Sequence, residues 1–238
     1  MDEGIHQVAC VLHALQASTK LLEDHYSGLN HKAEQVDGEL MLPYFQEFIV
    51  NGKAYKLKYT KFMAMDRPSR AVFRASIGSE DQAGGSDVVV KFAHSYCRPT
   101  HKLLAGISLA PRLQYCEKVD SIGMYIVVMD LAAEMDIGVS FQDQSISSKL
   151  RKAIQALHDV GFVHGDLQEP NILVTDNGDM KIIDFDWCGK EREVYYPSDI
   201  NLGISWDPEV KRGGLIKKDH DRWMYSKLTG LKWPEGEA

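Results

Sequence analysis

The chain has 238 residues, 44% of them hydrophobic, enough to bury a core in one large domain or in two packed lobes. Its 34 acidic and 27 basic side chains give a formal charge of -7, with no Lys/Arg-rich block to serve as a footprint for nucleic acid or anionic lipid. Apolar runs such as Met124–Met129 are far too short to span a bilayer, and the acidic Met1-Asp2-Glu3 opening lacks the positive start of a signal peptide.

The expectation is therefore an intracellular protein, cytoplasmic or nuclear, with neither a membrane nor nucleic acid as a direct partner. Four cysteines, Cys10, Cys97, Cys116 and Cys188, are scattered without C-x-x-C spacing and predict reduced thiols.

In chain order, Val8, Leu12, Leu15, Thr19 and Leu22 recur at helical spacing and predict an amphipathic helix over 5–22. His6 and His13 lie seven apart on it, but two ligands do not make a metal site. A polar, glycine-bearing stretch over 27–38 reads as a linker. Two alternating runs, 45–50 and 54–63, flank Asn51-Gly52, a pair that tolerates the positive φ of a type I′ hairpin turn. Further strands are predicted at 71–77, 87–92, 113–117 and 124–130.

The second half changes character. Leu150, Ile154 and Leu157 mark a helix over 146–160 that stops at Gly161. Short apolar runs at 172–174 and 180–183 flank Asp176-Asn177-Gly178 as another hairpin, and a last helix is predicted over 218–228. A strand-rich half followed by a helix-rich half predicts an α+β chain with two lobes and a cleft between them.

Phosphoryl transfer from a nucleotide needs carboxylates for magnesium, a lysine for the phosphates and a carboxylate near the acceptor. The run from Gly161 to Val174 contains His164-x-Asp166-x-x-x-x-Asn171, and Ile182-Ile-Asp184-Phe-Asp186 follows after one hairpin. Here the chain resembles the protein-kinase superfamily, in the His-Gly-Asp variant shared with aminoglycoside and choline phosphotransferases and with many small fungal kinase-like proteins. The resemblance implies a two-lobed protein-kinase-like fold with a reduced C-terminal lobe: an N-terminal helix and linker over 1–44, a β-rich lobe over 45–132 and a helical lobe over 133–238.

It also implies a role for each matching residue. Asp166 would accept or orient the acceptor hydroxyl proton, Asn171 and Asp184 would hold magnesium, and His164 would pin the loop to the segment around Phe185. Asp186 would add a further metal ligand or solvate its loop. Asp87-Val-Val-Val-Lys91 resembles the strand whose lysine meets the ATP phosphates. Met124–Ala132 resembles the strand leading into the adenine-binding hinge, with Met129 as gatekeeper and Asp130, Leu131 and Ala132 offering backbone groups.

Departures from the pattern are equally visible. Residues 63–70 contain no glycine where a glycine-rich phosphate loop belongs, although Arg67 or Arg70 could supply side-chain contacts. The segment 96–105 has no acidic residue to pair with Lys91, which leaves Asp184 to orient it, and Gln168 stands where a basic residue is common. No Ala-Pro-Glu segment follows Asp186, which implies a reduced peptide groove. The resemblance thus implies an ATP- and Mg2+-dependent phosphotransferase, acting on a Ser/Thr hydroxyl of an unidentified protein or small-molecule phosphoacceptor. A pseudokinase scaffold without turnover and a small-molecule phosphotransferase are the alternatives.

Overall fold

The computed structural model describes residues 2–28, 42–63, 71–78, 85–132, 140–175 and 178–234. The predicted linker beyond residue 28, the loop bearing Arg67 and Arg70, and Asp176-Asn177 of the second hairpin lie outside the described residues. The chain divides into two units, Met1–Met41 and Leu42–Ala238.

In the first unit, α1 (Asp2–Gly28) extends the predicted helix in both directions. Its apolar face is left 55–60% exposed at Val8, Leu12, Leu15 and Leu22.

The second unit begins with β1 (Glu47–Val50) and β2 (Lys53–Phe62). Asn51 and Gly52 between them have φ of 51° and 76°, the double positive value that a type I′ turn requires. Then come β3 (Ala71–Gly78), β4 (Ser86–Ala93), α2 (Arg98–Gly106), β5 (Leu113–Val119) and β6 (Met124–Asp130). The six strands form one antiparallel sheet in the order β1-β2-β3-β4-β6-β5.

Side chains alternate across β4, so its two faces have different fates. Val88 and Val90 join Phe48, Leu57, Phe73, Ile126 and Val128 in a core on one face. That face is rich in aromatic contacts, including Phe48 against Tyr115 at 4.9 Å between ring centroids. Val89 and Lys91 occupy the opposite face, paired across the ladder with Met129 and Val127.

The remaining elements are α3 (Gln144–Asp159), β7 (Phe162–Val163), a 3-10 turn (Glu169–Asn171), β8 (Ile172–Val174), β9 (Met180–Ile182), β10 (Gly189–Lys190) and α4 (Lys218–Thr229). Helix α3 starts where Asp143 Oδ1 accepts from Ser145 N at 2.7 Å and Ile146 N at 3.2 Å. Its Leu150, Ile154 and Leu157 are fully buried, each contributing about 1.5–3 kcal/mol of apolar burial. This second core also takes in Val127, Met129, Leu167, Phe185 and Ile216, so it continues from the helical region to the back of the sheet. Among the described residues no helix is long and apolar enough to cross a membrane.

Candidate active site

A cleft of about 420 Å³ opens between the sheet and the segments that follow α3. Its walls include Lys91, Met129, Asp130, Leu131 and Ala132 from the sheet side, and Asn171, Leu173 and Asp184 from the other. All of these except Leu173 were singled out from the sequence.

Lys91 is no exposed edge-strand lysine: it lies on an interior strand and is 8% exposed. A buried ammonium is costly unless paired, and Nζ is paired with Asp184 Oδ1 at 2.6 Å and with Asp186 Oδ1 at 2.7 Å. Burial alone would lower the lysine pKa, but the two carboxylates outweigh it and raise it. Asp186 is pushed up to about 6, burial and neighbouring Asp184 together exceeding the attraction of Lys91.

Asp184 adopts φ of 65°, a left-handed conformation that Asp tolerates better than most residues. The turn this creates sends Phe185 into the core and both carboxylates towards Lys91. Phe185 is fully buried, stacked on the His101 ring at 4.6 Å with the His164 ring at 5.5 Å.

The loop after α3 is built on Asp221 of α4. Its Oδ2 accepts from His164 N and its Oδ1 from Gly165 N, both at 2.8 Å. His158 Nε2 adds a contact to Oδ2 at 3.1 Å. Burial would raise the Asp221 pKa, but the His158 hydrogen bond, the two histidines and the amide of His164 keep it below the usual carboxylate value. Gly165 has φ of 80°, which favours glycine, and a Cβ there would sit 2.9 Å from Ile216 Cδ1, so that side chain would have to shift.

His164 does pin the loop: Nε2 faces Ile183 O at 3.3 Å while Nδ1 accepts from Asp166 N at 3.2 Å. Asp166 is 3% exposed. Its Oδ1 accepts from Gln168 Nε2 and its Oδ2 from Asn171 Nδ2 at 2.8 Å. Burial first, and then the charge of Asp184, raises the Asp166 pKa, making it a stronger base than an ordinary aspartate.

With Nδ2 of Asn171 committed to Asp166, its amide oxygen is the atom that chemistry allows a metal. Asn171 and Asp184 supply hard oxygen donors to one cleft and fit a magnesium-type ion. Among the described residues no three His, Cys, Asp or Glu side chains gather as a metal cluster; Lys91 engages both Asp184 and Asp186, the latter expected as a further ligand.

Residues 115–223 match the family model of the protein kinase domain. PK-1, the kinase of Cydia pomonella granulovirus, superposes with a TM-score of 0.56 over 74% of this chain and 69% of that one, at 17% identity. The fold is that of a protein kinase.

Curated relatives are serine/threonine-protein kinase STE20 of Kluyveromyces lactis, 40% identical over 68 residues, 28% of this chain and 7% of that protein. Maternal embryonic leucine zipper kinase of Xenopus laevis is 26% identical over 107 residues, 44% of this chain and 15% of that protein. Mitogen-activated protein kinase kinase kinase 17 of Arabidopsis thaliana is 29% identical over 94 residues, 37% of this chain and 25% of that protein. The matched stretch is thus a quarter or less of each relative's length.

Within this kinase-like fold, sequence reasoning missed Asp221, Gln168 as the Asp166 partner, and Ser95 and Cys97 near Asp186. Asp221 could have been suspected from its spacing: three residues into an amphipathic helix, it falls among residues that must be buried.

Proposed function

We propose that the chain is an ATP- and magnesium-dependent phosphotransferase of the protein-kinase type, acting on a serine or threonine hydroxyl inside the cell. The observation that supports this is the convergence of Lys91, Asn171 and Asp184 on one cleft, with Asp166 bonded directly to Asn171. The name of the STE20 relative, a serine/threonine-protein kinase, agrees with that acceptor class.

In this reading Met129 closes the inner end of the cleft, and the backbone of Asp130, Leu131 and Ala132 meets the adenine edge. Lys91 neutralises the phosphates. Asp184 and the Asn171 amide oxygen hold a magnesium ion, which supplies charge neutralisation at the phosphate oxygens. Asp166, buried and held at both carboxylate oxygens, orients the acceptor hydroxyl and takes its proton. Nucleotide binding should raise the melting temperature in a magnesium-dependent manner, and Asp184→Asn should remove that shift. Asp166→Asn should abolish phosphate transfer while leaving the shift largely intact.

A second reading, a pseudokinase scaffold, is favoured by one feature: Asp166 is met by the neutral Gln168 amide where a cation would assist phosphate transfer. A magnesium-dependent shift with no phosphate transfer to any serine, threonine or small-molecule hydroxyl would select it. Transfer to small molecules alone would select a small-molecule phosphotransferase.

A further inference from the structure

A buried ammonium needs a counter-charge with defined geometry, and for Lys91 the adjacent helix supplies none: α2 reads Arg-Pro-Thr-His-Lys-Leu-Leu-Ala-Gly. Both partners of Lys91 come instead from the Asp184-Phe185-Asp186 turn. The two carboxylates are not equivalent. Asp184 lines the cleft, whereas Asp186 is not among its lining residues.

Asp186 is also fastened from behind. Ser95 Oγ donates to Asp186 O at 2.6 Å, and Cys97 N donates to Phe185 O at 3.0 Å. Ser95 and Cys97 belong to the short connection between β4 and α2, just beyond Lys91 on the same chain segment. The strand that carries the lysine and the turn that carries Asp186 are therefore stitched together next to the ion pair.

We propose that Asp186 is the positioning residue for Lys91, holding its ammonium towards the cleft so that Asp184 can turn its carboxylate to a divalent cation. Charge stoichiometry supports the division. One lysine faces two carboxylates; a divalent cation on Asp184 leaves Lys91 and Asp186 as a one-to-one pair. The anchor lies two residues from Asp184 in a turn locked by the His101–Phe185 stack. No movement of α2 is then required to make or break the lysine's ion pair. What Lys91 faces rests on the nucleotide-site reading above; its attachment to Asp186 does not.

The test uses the full chain with Lys91→Met, Asp186→Asn and the double variant. Titration with a fluorescent ATP analogue, with magnesium and with EDTA, should show Asp186→Asn weakening binding about tenfold with magnesium, the scale of one charged hydrogen bond, and less with EDTA, where Asp184 still holds Lys91. In the Lys91→Met background the same change should add little. A magnesium-dependent loss that persists at full size in the Lys91→Met background would assign Asp186 to the metal and overturn the proposal.

A second readout needs no nucleotide: acylation of Lys91 by an amine-reactive ester, followed by peptide mass spectrometry. Asp186→Asn should accelerate it several-fold, and Asp186→Glu should restore protection; an unchanged rate overturns the proposal. Asp186→Ser replaces Asp186→Asn should that variant not fold. If the wild-type chain binds no nucleotide, the functional reading fails while the acylation rates still decide the anchor.

Discussion

At His164 and Gly165 two successive backbone amides donate to the opposite oxygens of Asp221, and this bidentate hold fixes where Asp166 begins its own contacts. Asp221→Asn keeps the shape but turns an amide donor towards a backbone donor. Stranding one buried N–H costs about 1–3 kcal/mol, so the melting temperature should fall and the Asp166 loop should become more susceptible to proteolysis. Gly165→Ala should cost about 1–3 kcal/mol through its positive φ, before any shift of Ile216. Denaturant unfolding measures both.

His101 carries a pH prediction of its own. Burial lowers its pKa from 6.5 to about 4, with a smaller opposing effect from the bond to Pro111 O. The unfolded chain therefore binds the proton more readily than the folded one. The contribution is complete above pH 6.5 and is lost as pH falls from there towards 4, by about 3 kcal/mol at most. His101→Gln, which can still donate to Pro111 O and accept from Tyr96, should flatten this part of the unfolding profile.

Among the elements, α3 and the β4–α2 connection have the most to do with the site. Helix α3 has a capped start and a wholly buried stripe, and its end at Gly161, with φ of 78°, launches the loop that carries His164, Asp166 and Asn171. Asp143→Ala should cost about 1 kcal/mol through the lost cap. Leu150→Ala should cost about 2–5 kcal/mol, because it empties a fully buried position. The larger loss for Leu150 in thermal unfolding would show that packing, more than capping, holds the helix in place. In β4 the alternation is decisive, because a one-residue slip would send Lys91 into the aromatic core and Val90 into the cleft.

For the whole molecule, nucleotide and folding are linked quantities. At a ligand concentration of one hundred times Kd the folded state gains about 2.7 kcal/mol, a melting shift of several degrees for a chain of this size. Chelation of magnesium should reverse most of that shift if Asp184 and Asn171 hold the ion. A shift insensitive to chelation would place the nucleotide elsewhere or show that it binds through Lys91 and the hinge alone.

The strands of the sheet, the type I′ turn at Asn51-Gly52 and helices α3 and α4 were all legible in the sequence, because alternation, helical period and turn chemistry are local. The loop motif from His164 to Asn171 was legible too, since it packs its groups into eight consecutive residues. The partners of those groups were not. Asp221 meets His164 from 57 residues away and Asp186 meets Lys91 from 95 away; no local pattern encodes such a pairing. The sequence by itself determined which residues could do phosphate chemistry and what was missing, including an acidic partner in α2. Only the tertiary structure decided that Asp186 joins the expected Asp184 in replacing that partner, because the charge that a buried lysine requires can come from any segment that the fold brings within hydrogen-bond distance.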